Sequence, residues 1–353
     1  MKSIPVEMVA APGEGRRNYA QALDSPCATC TSAACCRYLP LHTFQITNLV
    51  ELDHAFYVLN FDYIRLGLSA TGEWSIYYAY PCRYLDRQDF SCTVHDKPEH
   101  PHICRHYNPY NCWYKRAFTS GLSEEFILVD RRRLNYIAEQ IEFDEGRNLV
   151  KTPDWPSMMA DLAAMPVEEV LDPEPPAADP VLLAWQELVT TGQAQAAAPP
   201  TRSYQEMRDP CSNCDAYCCT TLVFPHGMPT TIANLDYYQF CLGFPGVELG
   251  ISDEGWALVI RTTCRHLEAG RCAVFGQPER PLICRYYDEL KCTYRVNFGH
   301  PRPPAFLRMR LEEYQQILPS FEFDDQGAIV QIAPLEAMRR QVESGWRNGV
   351  NGD

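Results

Sequence analysis

The sequence predicts an α+β fold made of two homologous, small, cysteine-rich, metal-stabilised domains, each with short strands and covering helices. Three observations lead to this prediction. A run of four cysteines occurs twice, as CATCTSAACC and CSNCDAYCC, and four further cysteines follow each run at similar spacings. Helical and strand periodicities recur in the same order after both runs. No signal peptide or long apolar run is recognised, which favours a reducing compartment and thiolates over disulfides.

Each secondary-structure element can be predicted from both copies. A helix is expected at TNLVELDHAFYVL and at TIANLDYYQF, which begin with capping residues. A strand follows, because apolar side chains alternate from Trp74 and from Trp256. After a tight turn, KPEHPHICRHY and QPERPLICRYY predict one or two helical turns that begin at a proline. A longer covering helix is predicted at LNYIAEQI and LEEYQQIL, followed by acidic hairpin turns.

The repeat also sets the predicted domain boundaries. Repeat 1 is placed at 20–153 and repeat 2 at 204–335, both of ordinary domain size. The Pro- and Ala-rich segment 154–203 is predicted to be a linker with short helices, and 1–19 and 336–353 to be terminal tails. Because each repeat has a full ligand set and its own covering helix, fragments cut near the linker are expected to fold independently.

The chemistry of the chain is predicted to reside in its cysteines. Thiolate sulfur binds Zn²⁺ and iron–sulfur clusters, which usually take four ligands from separate loops. Eight cysteines in each repeat could fill two such sites, or one site with four thiols left for other roles. The predicted cofactor is an iron–sulfur cluster, for example [4Fe–4S], or Zn²⁺, with at least one site per repeat. The candidate metal ligands are Cys27, Cys30, Cys35, Cys36, Cys82, Cys92, Cys104 and Cys112 in repeat 1, and Cys211, Cys214, Cys218, Cys219, Cys264, Cys272, Cys284 and Cys292 in repeat 2.

Other residue types near the cysteines have open roles. Cys241 has no partner in repeat 1 and is predicted to be a buried helix residue. His42 and His226 nearly align after the double cysteines and are candidates for ligation or proton transfer. Some histidines lack a matched histidine and are predicted to be surface residues: His95, His100, His102 and His106. Four of the arginines that directly follow cysteines recur in both repeats and could either compensate cluster charge or pair with the acidic surface: Arg83, Arg105, Arg265 and Arg285.

These motifs resemble the YkgJ-like cysteine cluster family, which is described as zinc- or iron-chelating and carries a CxxCxxxCC signature. Both repeats show the opening run, a C-x-x-L segment at Cys82 and Cys264, and a P-x-x-C-R segment at Cys104 and Cys284. The resemblance implies metal chelation at all sixteen cysteines. Cys35 is placed through its neighbour, because the preceding gap is one residue longer than in the family.

The resemblance implies no single reaction, although one relative class is named for flagellin lysine N-methylation. No SAM-binding, P-loop or dinucleotide motif is recognised, so neither catalytic nor other cofactor-binding residues are predicted. The leading hypothesis is a metal-chelating tandem-repeat protein with a structural, carrier or electron-transfer role. The alternatives are an iron–sulfur-dependent enzyme of redox or lysine N-methylation type, and a zinc-stabilised interaction scaffold.

Composition limits the partners. The formal net charge of −14 repels phosphate backbones, so no nucleic acid is expected as a partner. No membrane segment is recognised either, and a cytoplasmic location is expected. A protein partner is left open, and its identity is not predicted.

Overall fold

The structure is a computed structural model that divides the chain into two compact units. Unit 1 consists of Met1–Leu59 and Tyr63–Pro173, and unit 2 of Asn60–Asp62 and Glu174–Asp353. Both combine helices with small antiparallel sheets, which confirms the α+β class. The residues described are 19–22, 30, 33–95, 97–109, 112, 126–166, 176, 179–193, 201, 203–208, 214, 216–294 and 306–349.

Unit 1 is organised around a four-stranded antiparallel sheet with the strand order β1-β3-β2-β4. A separate hairpin is formed by β5 and β6. The strands are β1 (Leu39–Phe44), β2 (Ile64–Ser69), β3 (Trp74–Tyr78), β4 (Phe126–Val129), β5 (Glu142–Phe143) and β6 (Leu149–Lys151). The helices are α1 (Tyr19–Ala22), α2 (Ala34–Arg37), α3 (Leu49–Val58), α4 (His102–Arg105), α5 (Arg131–Ala138) and α6 (Trp155–Ala163).

Local sequence explains where the unit 1 helices begin. The Asn48 side chain accepts hydrogen bonds from the Val50 and Glu51 amides, which caps α3. Asp130 caps α5 in the same way through the Arg133 amide. Five consecutive residues of β3 are buried, because this strand lies inside the sheet. The core is therefore centred on β3, the strand that leads towards Cys82.

Unit 2 has a four-stranded antiparallel sheet with the order β12-β8-β9-β7. Two small hairpins, β10–β11 and β13–β14, accompany it. The strands are β7 (Thr221–Pro225), β8 (Val247–Ser252), β9 (Gly255–Arg261), β10 (Leu267–Glu268), β11 (Arg271–Cys272), β12 (Leu307–Met309), β13 (Glu322–Phe323) and β14 (Ile329–Gln331). The helices are α7 (Pro180–Thr190), α8 (Tyr204–Arg208), α9 (Tyr217–Thr220), α10 (Ile232–Leu242), α11 (Leu282–Arg285), α12 (Leu311–Ile317) and α13 (Leu335–Gly349), with short 3-10 helices at Glu289–Lys291 and Leu318–Ser320.

The segments predicted as linker and C-terminal tail contain ordered helices. Segment 154–203 includes α6 and α7, and segment 336–353 includes most of α13. Inside unit 2, Trp185 of α7 and Trp346 of α13 are both buried and meet edge to face, with ring centroids 5.1 Å apart. Aromatic pairs of this kind contribute about 0.5–1.5 kcal/mol beyond the area they bury. Both helices therefore belong to the packed body of unit 2.

A buried ion-pair network ties α7 to the sheet of unit 2. Asp179 caps α7 by accepting the Val181 amide at 2.8 Å. Its carboxylate also pairs with Arg308 on β12 and with Arg261 on β9. Arg308 in turn binds Glu248 on β8, with the Arg308 Nε 2.9 Å from Glu248 Oε2. Burial alone would raise the pKa of Asp179, but the charges of Arg308 and Arg261 hold that pKa below its usual value.

Unit 2 also includes three residues that lie early in the chain. The Arg265 amide donates to the Asn60 carbonyl at 2.7 Å, and the Asp62 amide donates to the Thr263 carbonyl at 2.9 Å. Phe61 forms an antiparallel bridge with Cys264. The backbone on both sides of this candidate ligand is therefore held by residues 60–62.

Close packing over a glycine gives a prediction for β8. A Cβ at Gly250 would overlap the buried Phe306 ring. Gly250→Ala is therefore expected to destabilise unit 2 by about 1–3 kcal/mol, measured by urea unfolding, since overpacking forces side chains out of place. Adding Phe306→Leu should recover part of that loss. An unchanged urea midpoint for the single variant would contradict the packing described.

Within the described part of the chain, no helix combines the length and the apolar character needed to cross a membrane.

Candidate metal centre

The double cysteines lie on single helical turns that follow a left-handed residue. Cys35 and Cys36 are on α2 after Ala33, whose φ is 41°. In unit 2, α9 carries the second pair after Ala216, whose φ is 56°. This conformation costs an L-residue roughly 1–2 kcal/mol, so the surrounding fold must impose it. The turn keeps the two neighbouring thiols close, with 3.9 Å between the sulfurs of Cys35 and Cys36.

A third cysteine is attached to each double cysteine by its backbone. The Cys82 amide donates to the Cys36 carbonyl at 2.7 Å. In unit 2, the Cys264 amide donates to the Cys219 carbonyl at the same distance of 2.7 Å. The same bond therefore joins two separate cysteine-bearing segments in both units.

In each unit, two further cysteines follow, one on a hairpin and one on a short helix. Cys92 forms a bridge with Leu85, and Cys272 pairs with Leu267 in the equivalent hairpin. Prolines precede the short helices, and the Cys104 and Cys284 amides each donate to the proline carbonyl three residues earlier at 3.0 Å. The predicted hairpins and proline-started helical turns are confirmed. They place one cysteine on each hairpin and one on each short helix.

Two of the arginines that follow cysteines bind backbone carbonyls. The Arg285 Nε donates to the Arg280 carbonyl at 2.6 Å, and its Nη2 donates to the Pro278 carbonyl at 3.1 Å. Arg105 binds the Lys97 carbonyl in unit 1. These guanidinium groups therefore fasten the loop that precedes each short helix. Arg265 acts differently, because its charge favours the thiolate form of Cys264.

Hydrogen bonding between thiols makes the cysteines of unit 2 chemically unequal. The Cys219 thiol shares its proton with its neighbours, which lowers the pKa of Cys264 to about 7 and also lowers the pKa of Cys218. The pKa of Cys219 itself is raised far above its usual value for the same reason. Burial raises the pKa of Cys284 to about 12. Of these four thiols, Cys264 and Cys218 therefore lose their protons more readily than Cys219 and Cys284, and the thiolate is the form that binds metal.

Unit 1 shows the same pattern around its double cysteine. A hydrogen bond from Cys36 lowers the pKa of Cys35 and raises the pKa of Cys36. Cys82 and Cys104 are near enough to raise the pKa of Cys36 further by charge repulsion. Burial raises the pKa of Cys82 to about 11. Four thiols from three segments therefore influence each other electrostatically.

The described cysteines nevertheless do not form a closed metal site. No group of three or more His, Cys, Asp or Glu side chains among the described residues is arranged to hold a metal ion. Cys27 and Cys211 lie outside the described residues. No disulfide joins the cysteines that are described. The donor chemistry thus fits a thiophilic metal, whereas a closed coordination geometry is not formed by the described side chains.

Burial separates Cys241 from the candidate ligands. All the described candidate ligands are half-buried, whereas Cys241 lies on α10 with 0% exposure. The prediction of a buried helix residue is confirmed. Its thiol is also hydrogen-bonded to Tyr237. Cys241 therefore packs as a small apolar side chain away from solvent.

The histidine predictions need two corrections. Strand pairing places His42 opposite Ile76, whereas the residue before His226 lies opposite Ala257, so the two histidines occupy different positions. A bulge between Pro40 and His42 shifts β1 by one residue, and His226 lies one residue further from its double cysteine than His42 does, so the two positions differ by two residues. The predicted surface position of His100 is also wrong, because its side chain is 8% exposed. His95, His102 and His106 are exposed, as predicted.

Comparisons with models of protein families, with curated proteins and with solved structures found no match to this chain. The resemblance to the YkgJ-like cysteine cluster family therefore stays a prediction that rests on the motifs of the sequence.

Proposed function

We propose that this protein chelates metal through two homologous cysteine-rich domains, one in each unit. The sixteen repeated cysteines would hold an iron–sulfur cluster or Zn²⁺, with at least one site per unit. Its role would be that of a structural, carrier or electron-transfer module. The observation that supports this proposal best is the bond from Cys82 to Cys36 and its counterpart from Cys264 to Cys219, both 2.7 Å long.

That bond matters because metal sites recruit thiolates from separate segments. In each unit it brings a strand end to the double-cysteine turn, and a hairpin and a short helix add two more cysteines. Chance burial of thiols would not require the same connection twice. Proximity also makes thiols lose protons unequally, and the pKa of Cys264 near 7 provides a thiolate at physiological pH.

Homology of the units has separate support. When the four strands of each main sheet are numbered in chain order, their order across the sheet is first, third, second, fourth in unit 1. Unit 2 has the same order, with β7, β8, β9 and β12 as its first to fourth strands. A helix connects the first and second strand in both cases, and another helix follows the fourth. Sheets of four strands could adopt many other orders. Shared order together with shared cysteine positions supports duplication of one ancestral metal-binding domain.

Metal analysis after anaerobic purification tests the proposal. We expect bound metal in both units, read from metal content per chain and from protection of each unit's cysteines against alkylation. Iron with a similar amount of acid-labile sulfide would identify iron–sulfur clusters, whereas zinc without sulfide would identify zinc thiolate sites. Protein that contains neither metal, and that gains no cysteine protection when Zn²⁺ or iron and sulfide are supplied, would refute chelation.

A further inference from the structure

The loop between the cysteine hairpin and the short helix has the same backbone structure in both units. In unit 2, the amides of Phe275, Gln277 and Arg280 each donate to the carbonyl three residues earlier, at 3.2, 3.0 and 3.2 Å. The corresponding bonds in unit 1 are 3.2, 3.0 and 3.1 Å long and start from His95, Lys97 and His100. Arg280 and His100 therefore occupy equivalent positions, and so do Phe275 and His95.

The side chain of Arg280 lies against the ring of Phe275. Its guanidinium carbon lies 4.4 Å from the centroid of the Phe275 ring. The Nε atom is buried and has no hydrogen-bond acceptor among the described residues. A guanidinium stacked on an aromatic ring is fixed in direction at little entropic cost, and it can still donate to an anion.

The positive charge of Arg280 acts on two candidate ligands. For Cys218, the hydrogen bond with Cys219 is the main cause of a lowered pKa, and Arg280 lowers that pKa further. For Cys284, burial raises the pKa most, and Arg280 opposes this effect. The backbone places Arg280 between two cysteine-bearing segments. The Phe275 amide donates to the Cys272 carbonyl at 3.2 Å, and the carbonyl of Pro281, the residue after Arg280, accepts the Cys284 amide at 3.0 Å.

Unit 1 has different chemistry at the same place. His100 is buried, and its ring lies 5.3 Å from the ring of His95 between centroids. An imidazole carries a smaller and less permanent positive charge than a guanidinium. The exchange of an Arg–Phe pair for a His–His pair therefore changes the charge beside the cysteines while the backbone stays the same.

We propose that Arg280 makes the two metal centres unequal, so that unit 2 retains its metal more tightly than unit 1. This inference rests on the proposed function. A divalent ion bound by four thiolates has a net charge of −2, and thiolate-bound iron–sulfur clusters are also anionic. A fixed guanidinium stabilises such a complex. Groups that surround metal ligands typically change metal affinity by about 10–100-fold.

The test uses the full-length chain loaded with Zn²⁺ and titrated with a competing chelator. Alkylation followed by peptide mass spectrometry reports separately when the cysteines of each unit lose protection. In the wild type, unit 1 should lose protection at lower chelator concentration than unit 2. In Arg280→Met, the cysteines of unit 2 should lose protection at chelator concentrations about 10–100-fold lower than in the wild type. Arg280→Lys should require a chelator concentration between those of Arg280→Met and the wild type. The control is Arg271→Met, which removes an exposed arginine from the hairpin that precedes this loop.

The reciprocal variant His100→Arg should strengthen metal retention in unit 1 and leave unit 2 unchanged. Equal retention by both wild-type units, or wild-type retention in Arg280→Met, would overturn the role of Arg280 while leaving chelation intact. Absence of Zn²⁺ protection in both wild-type units would overturn chelation as well. If Arg280→Met loses its folded circular dichroism spectrum, His100→Arg decides, and no gain in unit 1 would overturn the inference.

Discussion

Cys284→Ser is expected to remove metal from unit 2 and leave unit 1 filled. Cys284 lies on α11 and is near enough to Cys218 of the double cysteine for their charges to interact. A serine hydroxyl is a poor ligand for thiophilic metal ions. Metal binding contributes on the order of 10 kcal/mol at structural zinc sites, so unit 2 should also lose much of its stability. Metal analysis with unit-specific cysteine protection measures the loss.

The matched control is Cys241, the one cysteine of the sequence that is not a candidate ligand. Cys241→Ala removes a thiol from the same unit but leaves the candidate ligands in place. It should keep the full metal content, and it should cost roughly 1 kcal/mol for the lost side-chain packing. Depletion of metal in Cys241→Ala, or full metal content in Cys284→Ser, would show that repeat matching assigned the ligands wrongly.

Arg308→Met is expected to destabilise unit 2 by about 3–5 kcal/mol, because it leaves the buried carboxylates of Asp179 and Glu248 without their shared cation. Arg308 has a side-chain exposure of 1%. Glu248 loses its ion pair with Arg308, whereas Asp179 keeps the weaker pair with Arg261 at 3.3 Å, and a buried charge without a counterion is costly. Urea unfolding monitored by the fluorescence of the unit 2 tryptophans measures the change.

A surface ion pair provides the control for Arg308→Met. Lys151 and Glu142 also pair, but both side chains are more than half exposed, at 61% and 62%. Lys151→Met should therefore change stability by less than about 1 kcal/mol. The network would have no stabilising role if the two methionine variants unfolded at the same urea concentration as the wild type.

Elements with strong local signals could be predicted from the sequence. The helices α3 and α10 have capping residues, and β3 and β9 have alternating apolar side chains, so all four lie where expected. The repeated cysteine pattern also located the segments that the backbone joins at Cys36 and Cys82. Comparing two copies strengthened these predictions, because a chance pattern rarely recurs in the same order.

Other features depend on contacts that sequence periodicity does not show. The strands β2 and β8 were not predicted, because strands buried in a sheet lack a clear alternation of polar and apolar residues. The bulge before His42 could not be predicted either. In a comparison of the two repeats, one inserted residue looks the same as a small difference in spacing. Arg280 was not predicted as a functional residue, because the group it contacts is the ring of Phe275, five residues earlier. In repeat 1 the equivalent positions of both residues hold histidines.

The inclusion of Asn60–Asp62 in unit 2 has a consequence for dissecting the protein. Cutting the chain between α6 and α7 yields a C-terminal piece that keeps α7 but lacks these residues, so the Arg265 amide loses its acceptor and the Thr263 carbonyl loses its donor. The predicted independent folding of fragments would then hold for unit 2 only if residues 60–62 are present. A nicked protein should stay associated, and the C-terminal piece expressed alone should recover its fold when the N-terminal piece is added, as in fragment complementation.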